Sequence, residues 1–363
     1  MTDVISSYKL SVRPVPLVIS VITGFLGAGK TTFLNRILTD NQLNDTVVII
    51  NEAGEVGLDH ALVETLNDDT TLLSAGCMCC MVSGDLVGTL EDLLRRRDNK
   101  RMPAFSRVII ETTGLADPAS VLNAVLTHPY LRLRYVMNGL ITLVDGMNGL
   151  NALLENQETV RQVAMADHIL LSKVNLIESK RPDPALISRI QQLNPHARIT
   201  DISSLYEAGD DDIVQKCISM ITRLNPFHVD GKISGVREWL GVGNEVGAEA
   251  EAQDHQSTIK RNDGDRISSF VLRHNKPIAQ RSLDLFFDLL RATHGKKLLR
   301  VKGVIALDDD PHSPLLVHMV QHLLHPFKRL PAWPDDLHET CIVFVLDDLE
   351  PAYITQLWNA FIH

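Results

Sequence analysis

Between Leu17 and about Leu224, short continuous apolar runs alternate with segments of helical period. The runs are Leu17–Ile22, Val47–Ile50, Arg107–Ile110, Leu140–Val144, His168–Leu171 and Ala197–Ile202. Between them lie Thr32–Leu38, Asp85–Leu94, Thr159–Met165 and Ile213–Leu224, the second with Leu86, Leu90, Leu93 and Leu94 on one face. A strand that is apolar at every position is covered on both faces, and amphipathic helices between such strands supply the cover. The pattern therefore predicts an α/β domain with a mainly parallel sheet. Ligands of such sheets bind at the carboxyl ends of the strands.

The pattern changes at Gly241–Arg266, where Gly, Glu, Asp and Gln replace apolar residues and the chain reads as a linker or long surface loop. Beyond it, Ile267–Leu272, Leu298–Leu307 and Cys341–Leu346 read as strands, with Ser282–Leu290 and Pro351–Phe361 as helices. Mixed order and short elements predict a small α+β domain. The expected organisation is residues 1–225 as one domain, 226–266 as linker and 267–363 as a second domain.

Bulk properties narrow the classes. At 363 residues, 45% hydrophobic and 22% charged, the chain is an ordinary globular protein with room for two cores. A formal net charge of −10 argues against a nucleic-acid partner, which needs a basic surface. Lys9 and Arg13 precede an apolar stretch from Val15 to Leu26, as in a secretory signal, but cleavage there would destroy the glycine-rich motif described next, so the stretch reads as a buried first strand. No run of 18 apolar residues occurs elsewhere, so no membrane association is expected. Five cysteines, three of them packed into four positions, are no disulfide framework and fit a cytoplasmic, reducing compartment.

Candidate chemistry begins at Gly24-Phe25-Leu26-Gly27-Ala28-Gly29-Lys30-Thr31-Thr32, which satisfies G-x-x-x-x-G-K-[ST] directly after the first strand. Glycines let successive backbone N–H groups point at one anion, and the helix that follows adds its positive end. Lys30 can reach the β- and γ-phosphates, and the Thr31 hydroxyl can enter the shell of Mg²⁺. Glu111-Thr112-Thr113-Gly114 follows the strand Val108–Ile110, placing a carboxylate at a strand end near the metal and the Gly114 N–H within range of a γ-phosphate oxygen.

After His168–Leu171 stands Ser172-Lys173-Val174-Asn175, where GTPases carry N-K-x-D. The Lys173 stem can cover a base, and the Asn175 carbonyl can accept from guanine. Asn175 lacks the charge of Asp, and a charge-assisted bond is worth roughly 1.5–3 kcal/mol, so guanine preference weakens unless something compensates. Glu52–Asp59, acidic and glycine-containing, suits a segment ordered by the γ-phosphate.

Cys77, Cys79 and Cys80 form the run Gly76-Cys77-Met78-Cys79-Cys80. Three thiols this close can converge on one soft ion, Zn²⁺ or Cu⁺, with a fourth ligand from elsewhere or from water. Cys217 and Cys341 stand alone in apolar segments and read as core.

Together GFLGAGKTT, NEAGEVGLD, GCMCC and ETTGLADP resemble the CobW-like family of P-loop GTPases over nearly the whole chain. Members act as metallochaperones, chiefly for zinc, or in cobalamin-related metal insertion. The resemblance implies that Gly24, Gly27, Ala28, Gly29, Lys30, Thr31 and Thr32 bind the phosphates of GTP and that Glu111 stands in for the usual Walker B acid. Lys30, Thr31 and Glu111 would then serve hydrolysis, with Gly114, Lys173 and Asn175 completing the nucleotide site. It also implies Cys77, Cys79 and Cys80 as Zn²⁺ ligands, with Glu55 and His128 contributing, and a client metalloprotein as partner, a homodimer being open.

Rival classes are a metal store or sensor with nucleotide as regulatory ligand, cobalt handling for cobalamin synthesis, and a P-loop kinase, which leaves GCMCC without a role. Relatives often carry a histidine-rich run between the domains, whereas Gly241–Arg266 has only His255. By the resemblance His318, His322 and His325 lie on a strand, which puts His325 on the face opposite the other two.

Overall fold

The computed structural model describes residues 15–51, 63–67, 70–73, 78–81, 85–206, 211–222, 236–240, 257–258, 266–334 and 337–362. In the first domain the strands are β1 (Leu17–Gly24), β2 (Thr46–Asn51), β3 (Val63–Asn67), β4 (Thr70–Leu73), β5 (Met78–Met81), β6 (Arg107–Thr112), β7 (Tyr135–Asp145), β8 (His168–Ser172) and β9 (Arg198–Asp201). They form one sheet in the order β3-β4-β5-β2-β6-β1-β7-β8-β9. From β5 to β9 every neighbouring pair is parallel, and β3 and β4 extend the β5 edge as antiparallel strands.

The helices are α1 (Lys30–Ile37), α2 (Leu86–Asp98), α3 (Pro118–Thr127), α4 (Leu131–Arg134), α5 (Gly149–Glu155), α6 (Gln157–Met165), α7 (Pro184–Leu193) and α8 (Asp211–Thr222). Both sheet faces are covered, as the continuous apolar strands require. Leu17, Ile19 and Val21 of β1 pack with α2, α3, α6 and α7, whereas Ile22 packs with Phe33, Leu34 and Ile37 of α1 and with Val214, Ile218 and Ile221 of α8. β7 begins five residues before its predicted start: Asn138 and Gly139 break the apolar run, but the Asn138 amide donates to the carbonyls of Met220 and Ile221 and closes the end of α8.

The stretch 226–266 holds α9 (Val236–Leu240) and β10 (Ser257–Thr258). The second domain is β11 (Ile267–His274), α10 (Gln280–His294), β12 (Leu298–Ile305), β13 (Leu315–Val320), β14 (Leu323–Leu324), β15 (Lys328–Arg329), β16 (Thr340–Asp347) and α11 (Pro351–Phe361). Its sheet, in the order β10-β11-β16-β12-β13-β14, is antiparallel, with β15 pairing β13. Phe286, Phe287 and Leu290 of α10 and Ile354 and Trp358 of α11 cover one face. On the other, Leu299, Val320 and Val345 join the core of the first domain, and Trp239 of α9 packs beside Val304 and Val343. Cys217 and Cys341 are fully buried, as expected, and burial pushes their thiols up to about 12 and about 11.

One expectation fails. β13 does not continue through His325: the chain reverses at Gln321–His322, with Gln321 at φ 51°, and the His325 N–H donates to the His318 carbonyl at 2.9 Å. The two rings therefore share a face, stacked with centroids 4.7 Å apart, at the contact with the first domain. A hairpin inverts the alternation that a single strand would impose. Burial, then His325, Arg300 and Lys302, hold His318 well below its usual 6.5, against the opposing pull of Asp167.

In the unfolded chain His318 takes up a proton below about pH 6.5 that the folded site refuses, so stability falls as pH drops, by about 1.4 kcal/mol per unit until the folded imidazole titrates. Melting temperatures from pH 7.5 to 5.5 are expected to fall less steeply in His318→Asn than in the wild type. Equal slopes would contradict this assignment.

Candidate nucleotide site

β1 ends in the glycine-rich loop, and the loop runs straight into α1, whose first residue is Lys30. Gly27 (φ 75°) and Gly29 (φ 90°) take left-handed conformations that a side chain disfavours, which is how the loop curls back over the strand end. Lys30 is only 6% exposed, and its ammonium donates to the carbonyls of Gly24 (3.0 Å) and Phe25 (3.3 Å). The lysine thus lies along the inside of the loop.

The neighbouring strand brings the carboxylate. β6 is parallel to β1, with Glu111 opposite Ile22, and Glu111 is 1% exposed. The Thr31 hydroxyl donates to Glu111 Oε1 at 2.9 Å, so the two expected Mg²⁺ partners meet in the fold. A buried carboxylate beside a hydroxyl offers oxygen donors only, which fits a hard divalent cation. Gly114 then passes under the loop: a Cβ there would come within 2.6 Å of the Leu26 backbone nitrogen. Only glycine permits that approach, which sets the Gly114 backbone against the phosphate loop.

The third wall is the end of β8. The Ser172 hydroxyl donates to the Ala28 carbonyl at 2.7 Å, and the Lys173 ammonium donates to the Gly27 carbonyl at 2.6 Å. Asn175 sits in the short turn 174–176, one residue beyond Val174. Asp145, at the end of β7, pairs with Lys173 at 2.8 Å. That partner was not picked out in the sequence, although an acid closing an apolar strand is the same signal that marks Glu111.

α6 connects this site to the second domain. The Gln162 amide donates to the Gly114 and Ala116 carbonyls, both at 3.1 Å. One residue earlier, Arg161 pairs with Asp117, which caps α3 (2.8 Å), and with Asp347 at the end of β16.

Of the expected metal ligands, Glu55 and Cys77 lie outside the described residues. Cys79 and Cys80 belong to β5, in register with Val48 and Ile49 of β2. His128 ends α3, where its Nε2 lies 3.6 Å from Glu91 of α2. Among the described residues no helix is long and apolar enough to cross a membrane.

Known proteins share the family and the fold of this chain. The family model described as CobW/HypB/UreG, nucleotide-binding domain matches residues 18–201, and that described as cobalamin synthesis protein cobW C-terminal domain matches 267–362. The chain is 30% identical to the zinc chaperone YjiA of Escherichia coli over 332 residues, 91% of this chain and 94% of that one. It is 26% identical to the zinc chaperone CobW of a Sinorhizobium species over 94% of this chain and 96% of that one. The crystal structure of the Zn(II)-bound YjiA GTPase superposes with a TM-score of 0.69 at 26% identity, covering 95% of this chain and 99% of that one.

Proposed function

Because the chain belongs to the CobW/HypB/UreG family and carries that family's C-terminal domain, we propose that it is a GTP-hydrolysing metal chaperone. It binds Zn²⁺ through Cys77, Cys79 and Cys80 and hands the ion to a client metalloprotein, with nucleotide state controlling the transfer. The observation that carries the nucleotide half is the contact between Thr31 and the buried Glu111 under the phosphate loop. The zinc half rests on the cysteine run and on the relatives named zinc chaperones.

In this reading Lys30 neutralises the β- and γ-phosphate oxygens, Thr31 and Glu111 hold Mg²⁺, and the Gly114 N–H meets the γ-phosphate. Mg²⁺ supplies charge neutralisation across the phosphates when bound. The Lys173 stem covers the base, and Asn175 accepts from it. Glu55 supplies a further zinc ligand from the acidic sequence Glu52–Asp59, and thiolate ligation makes zinc affinity fall with acid.

Nucleotide state reaches the second domain through α6, since Gln162 holds the Gly114 and Ala116 carbonyls while Arg161 holds Asp347. Zinc competition titration, with and without a non-hydrolysable GTP analogue, tests the reading on the wild type and on Cys77→Ser/Cys79→Ser/Cys80→Ser. The expected result is a tight zinc site that responds to nucleotide and is lost in the variant. A variant that keeps its tight zinc would overturn it.

A further inference from the structure

Lys173 is held in an unusual way for a residue with a flexible stem. Its backbone is left-handed (φ 59°), a conformation costly for any side chain but glycine, and it initiates the 174–176 turn. Its ammonium sits between two acceptors, the Gly27 carbonyl at 2.6 Å and Asp145 Oδ2 at 2.8 Å. The Asp145 carboxylate is itself fixed: Oδ1 accepts from the N–H groups of Met147 (2.8 Å) and Asn148 (3.1 Å). The Gly146 N–H donates to the Ser172 carbonyl at 2.8 Å, which ties the end of β7 to the residue before the lysine.

Asp145 is 13% exposed at its side chain and Lys173 is 35% exposed. Burial alone would raise the Asp145 carboxyl, but Lys173 and the two N–H groups outweigh it and hold the group below the usual range. A partly exposed ion pair of this kind contributes little to global stability. What it does fix is direction. With the ammonium pinned at the phosphate loop, the four methylenes of Lys173 are laid out between the loop and the turn at 174–176.

We propose that Asp145 is a positioning residue for the nucleoside end of the site, holding the Lys173 stem in place as the platform on which the base rests. The inference rests on the reading of Lys173 as the residue that covers the base. An untethered lysine must be ordered when the nucleotide arrives, and ordering a rotamer-rich side chain weakens binding. A tethered one is ordered beforehand. The effect is confined to ligands that have a base, because the phosphates meet Lys30 and the N–H groups of the loop, whereas the Asp145–Lys173 pair reaches the loop at the Gly27 carbonyl, which is no phosphate donor.

Equilibrium binding of GTP and of inorganic tripolyphosphate, both with Mg²⁺, separates the possibilities. Asp145→Asn keeps an oxygen for Met147 and Asn148 but turns its NH₂ toward the lysine, and Lys173→Met removes the ammonium while keeping an apolar stem. Each is expected to weaken GTP about tenfold, with tripolyphosphate unchanged within about twofold. The double variant is expected to be no worse than either single one, as for two ends of a single tether. The inference is overturned if Asp145→Asn and Lys173→Met bind GTP normally, if tripolyphosphate weakens in parallel, or if the two effects add. Lys173→Ala reports on the underlying reading: undiminished GTP binding in that variant removes the lysine as platform, whereas a loss there with Asp145→Asn normal removes only the role of Asp145.

Discussion

Lys30→Ala is expected to lower the rate of GTP hydrolysis by about a hundredfold or more, the scale set by removing one preorganised charge-stabilising donor. Lys30 is almost wholly enclosed, and its ammonium rests on two neutral carbonyls, those of Gly24 and Phe25. A phosphate oxygen is a charged acceptor and makes the stronger bond, so the lysine can turn from the loop to the ligand without leaving the site. Alanine removes that charge where it develops in the transition state and leaves Thr31 and Glu111 in place. Phosphate release measured in single turnover is the check: an unchanged rate would contradict the assignment, and a wild type with no rate at all would favour a store or sensor that uses nucleotide only as a regulator.

Asp167→Ala is expected to destabilise the protein by about 3–5 kcal/mol, the range for breaking a buried ion cluster from one side. β12 carries two cations, Arg300 and Lys302, in an otherwise apolar strand, and period two puts both on the face toward the first domain. Asp167, between α6 and β8, accepts from both at 2.6 Å and from the Leu140 N–H at 2.9 Å. Arg300 also donates to the Met165 carbonyl, and Lys302 donates to the Trp239 carbonyl at 2.6 Å and lies 5.1 Å from the centre of its ring.

Burial, with Arg300 beside it, pushes Lys302 down to about 8 despite the carboxylate, so the cluster depends on its one anion. Burial alone would raise Asp167, but Arg300 and Lys302 outweigh it and hold it far below the usual carboxylate range. Without Asp167 two adjacent cations remain enclosed between the domains. Denaturant unfolding measures the loss, and a change under about 1 kcal/mol, typical of exposed pairs, would show that the cluster is solvated.

What was legible in the sequence follows from these cases. β1, the loop and the start of α1 were readable because glycine, lysine and threonine at fixed spacing have one geometric solution, and α11 was bounded by Pro351 at its first turn. Glu111 was readable because the chain was already committed to a phosphate loop. Asp145 carried the same mark, a carboxylate closing a buried strand, but its meaning depends on Lys173, 28 positions later. Gln162 and Arg161 sit on a helix whose apolar face dominates its sequence pattern, while their partners lie on other elements and in another domain. The reversal at Gln321–His322 was hidden because no Gly or Pro marks it, and the resemblance favoured a continuous strand.

On the proposed function, the phosphate loop would time the capture and release of a metal. Zinc affinity measured by competition, with the chain either free of nucleotide or saturated with a non-hydrolysable GTP analogue, tests it most directly. The two zinc affinities are expected to differ by about fivefold or more, with an equal factor when the analogue is titrated with and without zinc, since coupling between two sites is reciprocal. The same zinc affinity in both nucleotide states would contradict it.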